Sequence, residues 1–450
     1  MLNNFQCQCC GECCRWPGTV SATEAEMAAA AAFLRISLDQ FIQDYTRLDD
    51  SRRKLIYKDA PDGACIFLSP DNRCRIYPAR PEQCRTFPDI WDVPAPLQGK
   101  CAGRRKQLAD QKQPVAFVHV LGHPARPLDI TAAPADAQVL NCRNICLLLE
   151  YLGIPYAYYG CPGSVLQGTH GTVIDCGKPT GPWKYGNAWH KLYTRRLNAR
   201  LSRLARLDGQ PEIILSMYGA SQADIDPLGL PVIEPMVGYD HCWAPYRVFP
   251  SYAQQHILYA LQPELTTQTR YFDTVIPHFL PEEDYHSVEC PRGDYLLFIG
   301  RNTPSKGLDI ARDVSKAAGI ALRTVHDGLF GEAKAALIAN AHAVLMPTLY
   351  MEPFGYVAVE AQLCGTPVIT TDWGAFTETV IQGQTGFRCR TRAEFIHAIE
   401  GCASLDRAAI RRSAIERFSL KAVASDYERY FRFVWEVHRN GGYYAYAARR

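Results

Sequence analysis

The first residues of the chain that suggest chemistry are cysteines. Nine of the 18 cysteines lie in the first 101 residues, and five of these fall in CQCCGECC at 7–14. Cysteines three residues apart can bind one ion, and four soft thiolates suit zinc or an iron–sulfur cluster. The spacing predicts a metal centre with eight candidate ligands: Cys7, Cys10, Cys13, Cys14, Cys65, Cys74, Cys84 and Cys101.

Eight thiolates permit several arrangements. They make two four-ligand zinc sites or clusters, or one site with spare structural cysteines. Cys9 is expected to point away, because Cys10 fits the repeat spacing better. The adjacent Cys13 and Cys14 do not resemble the paired knuckles of common zinc folds, which favours an iron–sulfur cluster over zinc. Whether the metal only stabilises a small domain or has a redox or catalytic role stays open.

A second group of chemical residues follows a buried strand. The stretch YLLFIGRNTPSKG at 295–307 has a strand that ends at Gly300, and the next loop carries Arg301 and Lys306. Ligands of open α/β sheets bind at the carboxyl ends of the strands. Two cations at such an end suit a diphosphate.

A third group lies in MPTLYMEPFGYVAVEAQLCGTPVIT at 346–370. We expect Pro353 to be the first helical residue and Gly365 to cap the helix at its other end. The amides at such an N-terminus bind anions, and a glycine there allows a ligand to approach the backbone. The predicted binding residues of this stretch are Glu352, Phe354, Gly355, Tyr356 and Glu360, the last of them eight residues after the first.

Composition and charge restrict the class of protein. The 450 residues suggest about three domains, and 47% hydrophobic with 21% charged residues is an ordinary globular balance. A net charge of +2 argues against a nucleic-acid or membrane-surface binder. There is no apolar run of membrane-spanning length, and the N-terminus lacks the pattern of a signal peptide. We therefore expect a cytoplasmic protein, in which reduced thiols favour metal binding over disulfides.

Hydrophobic periodicity predicts the elements that position these residues. Two helices follow the first cysteines, with Thr23 as the cap of the first, and a polar linker occupies 102–114. Strands then alternate with helices in two sets, which indicates two α/β lobes. The predicted domains are a small, mostly α, Cys-rich domain with its linker at 1–112, two α/β domains at 113–280 and 281–438, and a tail at 439–450.

The motifs of the two lobes together resemble family 4 glycosyltransferases. They are FIGRNTPSKG, the E-x7-E element with EPFG, CGTPVI, VIPHF and GQTGF, in this order apart from VIPHF, which precedes them. The resemblance implies a GT-B architecture of two Rossmann-like domains, with the last helix crossing back to the first. It also implies transfer from a nucleotide sugar with retention of anomeric configuration. We expect transfer to need no magnesium, because the lobe has Arg301 and Lys306 and lacks a plausible carboxylate pair for a metal.

The resemblance also implies a role for each matching residue. Gly300 ends the donor-side strand, Arg301 and Lys306 grip the diphosphate and stabilise the leaving group, and Glu352 contacts the transferred sugar. The amides near Phe354, Gly355 and Tyr356 meet the sugar and distal phosphate, and Glu360 accepts the ribose hydroxyls. The family offers no clear carboxylate nucleophile, so neither glutamate is given that role.

Three departures from the family pattern stand out. The run from Gly307 to Glu352 is short, which suggests that part of the wall around the nucleotide is missing. His278 stands where the family has asparagine. The first lobe lacks the usual Gly-Gly loop, so Gly122 is the expected close-approach residue, and the glycine-rich stretch 161–186 is expected to shape the acceptor side. The histidines left open as donor-site candidates are His119, His123, His241 and His256.

The N-terminal segment, about 5–101, resembles the CxxCxxCC family of zinc- or iron-chelating domains, through FQCQCCGECC and CIFLSPDNRCRIYPARPEQCRTFP. The leading hypothesis is a retaining glycosyltransferase fused to this domain, with a nucleotide sugar as donor and an unknown acceptor. A second hypothesis is a metal-dependent binding or sensor protein whose transferase lobe is inactive. A third is an iron–sulfur modifying enzyme whose product the transferase also modifies.

Overall fold

The computed structural model describes residues 9–15, 18–49, 51–87, 100–102, 115–129, 136–179, 181–262, 264, 272–285, 293–326 and 329–442. These residues form two compact units, the first ending at 102 and the second starting at 115. Cys7 and the predicted domain boundary at 112–113 lie outside the described residues, as does the tail from 443 onward.

The first unit is mostly helical around a small aromatic core. Thr23 caps its second helix as predicted, since Thr23 Oγ1 accepts from the Glu26 amide at 3.3 Å and Glu26 Oε2 accepts from the Thr23 amide at 2.8 Å. Phe41 stacks on Phe67 with ring centroids 5.8 Å apart. Its elements are α1 (Glu12–Arg15), α2 (Glu24–Leu34), α3 (Leu38–Tyr45), the antiparallel pair β1 (Thr46–Leu48) and β2 (Leu55–Tyr57), and α4 (Glu82–Arg85).

The first lobe of the second unit is a seven-stranded parallel sheet with helices packed on it. The strand order is β5-β4-β3-β6-β7-β8-β9. The elements are β3 (Phe117–Leu121), α5 (Ala137–Leu152), β4 (Tyr156–Gly160), β5 (Gly171–Asp175), α6 (Ala188–Leu204), β6 (Glu212–Ser216), β7 (Val232–Glu234), β8 (Tyr246–Phe249), α7 (Tyr252–Leu261) and β9 (Thr274–Val275).

The second lobe is a five-stranded parallel sheet in the order β11-β10-β12-β13-β14. Its strands are β10 (Tyr295–Ile299), β11 (Ala321–Val325), β12 (Ala343–Met346), β13 (Val368–Thr371) and β14 (Gly386–Cys389). Its helices are α8 (Leu308–Ala318), α9 (Gly331–Ala339), α10 (Tyr356–Leu363), α11 (Phe376–Thr379), α12 (Arg392–Gly401), α13 (Arg407–Phe418) and α14 (Leu420–Arg439). Two parallel sheets, each with its own helices, confirm the predicted pair of Rossmann-like domains.

The last helix returns to the first lobe, as predicted. In α14, the Tyr430 hydroxyl donates to the Phe272 carbonyl at 2.7 Å, and Trp435 packs against the apolar cluster that contains Trp189. Among the described helices, α14 included, we find none with the length and apolar character that a bilayer crossing requires.

The sequence interpretation missed some elements at the edges of the sheets. It had no strand at 171–175 or 321–325, where β5 and β11 form edge strands in which no residue is fully buried. An edge strand lacks the continuous apolar run of a buried parallel strand, so its pattern is weak. It also extended a strand over 271–279, whereas the described part of that stretch has only the two residues of β9.

Candidate active site

A cavity of about 870 Å³ lies between the two lobes of the second unit. The first lobe contributes the start of α5, together with Gly238 and His278. The second lobe contributes the carboxyl end of β10 and the segment 352–357. The carboxyl ends of parallel strands thus meet the start of a helix, as in other ligand sites of α/β folds.

Three residues predicted to bind the nucleotide-sugar donor follow strand β10 on the second lobe's side of the cavity. Gly300, Arg301 and Lys306 all line the cavity. Arg301 is exposed, and among the described residues it makes no ion pair. Gly307, just after them, has φ +74°, and a Cβ there would lie 2.0 Å from the Pro347 carbonyl oxygen, so only glycine fits this turn.

Lys306 and Glu352 form an ion pair that was not foreseen. Lys306 Nζ lies 3.0 Å from Glu352 Oε2 and 2.6 Å from the Tyr350 hydroxyl. The Tyr350 hydroxyl donates to the same Glu352 oxygen at 2.6 Å. Burial, with the Glu352 carboxylate beside it, raises the pKa of Tyr350 well above its usual value, so this hydroxyl stays protonated.

The helix after Glu352 starts later than the sequence suggested. Pro353 was expected to be its first residue, but α10 begins at Tyr356 with Gly355 as N-cap. Gly355 has φ +85°, and this left-handed conformation cannot belong to a right-handed helix. Pro353 therefore lies in the preceding loop, where its carbonyl accepts from Ser251 Oγ at 2.7 Å. Phe354, Gly355 and Tyr356 all line the cavity nevertheless.

Glu360 lines the cavity but is already paired. Lys334 Nζ lies 2.8 Å from Glu360 Oε1 and 2.6 Å from Oε2, and the Tyr285 hydroxyl donates to Oε1 at 3.1 Å. The carboxylate is almost fully buried, so the pair is formed where solvent screening is weak. Sequence reasoning missed Lys334 because it is a single lysine in a short, alanine-rich helix with no motif around it. It missed Tyr285 because this residue is 75 positions from its partner in the sequence.

The shortened run between Gly307 and Glu352 still provides a wall. Strand β11 fills part of it, and Val325, His326, Phe330 and Lys334 line the cavity. His326 Nδ1 donates to the Gly300 carbonyl at 2.9 Å, which ties this wall to the end of β10. Part of the wall around the nucleotide was expected to be missing here, and these residues supply at least some of it.

Gly122 is not among the residues that line this cavity. A Cβ at Gly122 would lie 2.2 Å from the Tyr158 ring, and its carbonyl accepts from Gln222 Nε2 at 2.9 Å. The glycine thus permits close packing within the first lobe.

The four histidine candidates are also absent from the lining residues. His119 is fully buried between the Tyr159 hydroxyl and Glu212 Oε1, at 2.8 Å from each. His123 Nδ1 accepts from the Ala125 amide, and burial lowers the pKa of His123 to about 4. His241 and His256 are exposed elsewhere. The imidazoles that reach the cavity are His278 and His326.

In the first unit, the structure brings early and late cysteines together. The Cys65 amide donates to the Cys14 carbonyl at 2.7 Å, and the Cys13 and Cys14 sulfurs are 3.9 Å apart. Burial raises the pKa of the Cys65 and Cys74 thiols, and it raises the pKa of Cys84 to about 12, with the neighbouring thiols adding to the effect. At Cys65, Cys74 and Cys84, neutral thiols are therefore favoured over thiolates unless a cation is bound.

The thiols of this cluster are ligands that suit a soft metal, but the described side chains do not surround a single ion. Among the described residues, no three side chains of His, Cys, Asp or Glu lie close enough to hold one ion. Cys7 is outside that part of the chain. Cys9 is exposed with φ +51°, Cys10 is partly buried and Cys101 is buried.

Two family models match separate segments of the chain. Residues 6–113 match the model described as "Putative zinc- or iron-chelating domain", CxxCxxCC, and residues 324–413 match "Glycosyl transferases group 1". A glycogen synthase of Mycobacterium tuberculosis is 39% identical over 95 residues, which is 21% of this chain and 22% of the relative. A D-inositol 3-phosphate glycosyltransferase of Arthrobacter is 35% identical over 91 residues, 20% of this chain and 21% of the relative. The chain thus spans only about a fifth of the length of these curated relatives.

Solved structures resemble a much larger part of the chain. AviGT4, a glycosyltransferase involved in avilamycin A biosynthesis, has a TM-score of 0.54 at 20% identity, covering 71% of this chain and 98% of its own. A glycosyltransferase of Rickettsia africae has a TM-score of 0.52 at 12% identity, covering 71% and 98%. At such identities the likeness establishes the fold. The chain therefore combines a segment that matches the CxxCxxCC domain with a GT-B fold whose second lobe matches the group 1 glycosyl transferases.

Proposed function

We propose that the second unit transfers a sugar from a nucleotide diphosphate sugar to an acceptor, with retention of anomeric configuration and without a divalent cation. The observation that carries the proposal is the Lys306–Glu352 pair, which lies on the cavity wall beside Arg301 and the start of α10. Two cations and a helix N-terminus suit a diphosphate. They also suit the charge that develops on it as the sugar leaves.

Each cavity residue then has a distinct role. Arg301 and Lys306 hold the diphosphate, Glu352 accepts hydroxyls of the transferred sugar, and Glu360 accepts the ribose hydroxyls. The acceptor enters from the first lobe, near the start of α5. The matched relatives have different names, so their names do not define the acceptor.

A thermal-shift panel of nucleotide sugars tests this proposal. A ligand at 100 times its dissociation constant stabilises the native state by about 2.7 kcal/mol. We expect at least one nucleotide sugar, and its nucleoside diphosphate, to raise the melting temperature. If none does so, the proposed transfer is wrong, and the hypothesis of an inactive lobe in a metal-dependent sensor replaces it.

We further propose that the first unit binds an iron–sulfur cluster or zinc, with the cluster favoured. The ligands would come from Cys13, Cys14, Cys65, Cys74 and Cys84, whose thiols influence one another's pKa. Such a metal would supply the positive charge that keeps several buried thiolates together. Anaerobic purification followed by metal analysis and visible absorbance tests this. A colourless protein with stoichiometric zinc rejects the cluster, and a folded, metal-free protein rejects both.

A further inference from the structure

His278 is held rigidly at the cavity by the first residues around α10. The ring is 3% exposed and lines the cavity. It stacks on Tyr356 with centroids 5.0 Å apart and planes 3° from parallel, and it meets the edge of Phe354 at 4.9 Å. Two aromatic contacts at different angles fix the direction in which its nitrogens point.

The two ring nitrogens have different surroundings. Nδ1 is sealed from solvent and has no hydrogen-bond partner among the described residues. Nε2 also lacks a partner in that part of the chain, but it is not sealed, so it is the nitrogen that opens to the cavity. Gly238 lies in front of it, since a Cβ built there would be 3.8 Å from Nε2. A larger residue at 238 would occupy that space.

The ring is neutral and carries one proton. Burial lowers the pKa of His278 to about 3, so it is uncharged at physiological pH. A sealed N–H without a partner is costlier and rarer than a sealed lone pair. The proton therefore belongs on Nε2, with the lone pair on Nδ1, and the ring presents a fixed neutral donor to the cavity.

We propose that His278 is a donor-binding residue whose Nε2–H donates a hydrogen bond to an oxygen of the sugar–phosphate portion of the ligand. This inference rests on the proposed function, because the ligand beside α10 is then a nucleotide sugar. A neutral hydrogen-bond donor such as this N–H suits either a phosphate oxygen or a sugar hydroxyl. It orients the ligand at a point where Lys306 and Arg301 supply the charge.

Two substitutions separate hydrogen bonding from packing. His278→Phe keeps an aromatic ring against Tyr356 and removes the donor. His278→Gln can place an amide N–H near the position of Nε2. We expect the Phe variant to bind the nucleotide sugar about ten-fold more weakly, and the Gln variant to retain most of the affinity. His256→Phe, at an exposed site outside the cavity, is the matched control and should bind like the wild type.

The measurements are titration calorimetry with the nucleotide sugar identified by the panel and with its nucleoside diphosphate, plus ¹⁵N NMR of labelled histidine rings. If the Phe variant also binds the free nucleoside diphosphate more weakly, the oxygen that accepts from His278 belongs to a phosphate. If only the nucleotide sugar binds more weakly, that oxygen belongs to the sugar. Either result supports the inference. Wild-type affinity in the Phe variant, or a His278 ring protonated at Nδ1, overturns it. If the Phe variant does not fold, the Gln variant and the ring spectrum decide. A wild type that binds no nucleotide sugar refutes the proposed function itself, and the inference with it.

Discussion

Lys306 and Glu352 lie 3.0 Å apart on the wall of the cavity, although 46 residues separate them in sequence. Strand β10 and strand β12 are neighbours in the sheet, and the loops after them carry the two side chains to the same place. The pair gives the cavity a cation and an anion whose relative positions are fixed before any ligand binds. Such fixed positions reduce the reorganisation that a reaction needs.

Tyr350 is expected to maintain this pair. Tyr350→Phe keeps the ring, over which Lys306 Nζ lies at 4.8 Å from the centroid, but it removes the hydroxyl that contacts both partners. We expect turnover to fall about ten-fold and the free energy of unfolding to fall by only about 1 kcal/mol. Steady-state kinetics and urea denaturation measure these changes. Tyr295→Phe is the control, since that hydroxyl donates to the Leu337 carbonyl away from the cavity. Unchanged turnover in Tyr350→Phe would refute the positioning role.

Arg301 and Glu352 should differ in what they contribute. Arg301→Ala removes a cation that is free to bind the diphosphate, so we expect weaker binding of the nucleoside diphosphate. Glu352→Gln should lower turnover more than donor affinity, because its role concerns the transferred sugar. Calorimetry and kinetics on both variants test this division, with Arg312→Ala as a surface control whose partner is Asp309. Wild-type diphosphate binding in Arg301→Ala contradicts the assignment.

The Lys334–Glu360 pair predicts a stability effect. Lys334→Met leaves the Glu360 carboxylate, whose side chain is 5% exposed, without its cation. Breaking a buried pair from one side typically costs about 3–5 kcal/mol of unfolding free energy. The double variant Lys334→Met with Glu360→Leu should recover much of this loss. Urea denaturation of the three proteins gives the answer, and equal stability of the single variant and the wild type would be inconsistent with a paired carboxylate.

Glu234 predicts a pH dependence of stability. Burial raises the pKa of this fully buried carboxyl to about 7, with Arg247 and two backbone amides opposing the shift. A folded-state pKa above the unfolded value means that the native state binds more protons between about pH 4.5 and pH 7. The stability from Glu234 is therefore present at low pH and decreases as pH rises to about 7, by up to about 3 kcal/mol.

Glu234→Gln should remove this dependence. Its unfolding free energy is expected to change less than that of the wild type between pH 5 and pH 7, in buffers of constant ionic strength. The Cys242 thiol lies near Glu234, and the two groups influence each other's pKa, so Cys242→Ala serves to show that the effect belongs to the carboxyl. Parallel pH profiles of the wild type and Glu234→Gln would show that the carboxyl is ionised throughout.

Metal binding should depend on some cysteines and not on others. Cys74 is partly buried near Cys14 and Cys65, whereas Cys9 is exposed with φ +51°. We expect Cys74→Ser to lower bound metal and the stability of the first unit, while Cys9→Ser retains both. Metal analysis after anaerobic purification measures the first quantity and thermal unfolding the second. Full metal content in Cys74→Ser would exclude this cysteine as a ligand.

The sequence predicted most of the elements around the site for a physical reason. Helices such as α8 and α14 have strong apolar periodicity, and β10 and β12 are continuous apolar runs, so local pattern and tertiary position agree. Helix α13 was missed, because its many arginines and alanines give a weak apolar pattern. Strands β5 and β11 were missed because an edge position permits exposed residues.

The site residues that lie within one sequence motif were predictable. Those that gain their role only through contact with a residue distant in sequence were not. Glu352 and Glu360 lie in one helix and its preceding loop, and Arg301 and Lys306 lie in the loop after β10, so each pair falls within one recognisable motif. Lys334 acquires its role only through contact with Glu360. The start of α10 was misplaced because Pro353 favours a helix start, and only the backbone conformation of Gly355 moves that start by three residues.

The most direct test of the account is the release of nucleoside diphosphate from the nucleotide sugar that the wild type binds. The full chain and Glu352→Gln are incubated with that donor, with and without a mixture of candidate acceptors, and the diphosphate is quantified over time. We expect the wild type to release the diphosphate, the acceptor to stimulate this release, and Glu352→Gln to release it about a hundred-fold more slowly. No release by the wild type, or equal release by the two proteins, would contradict it.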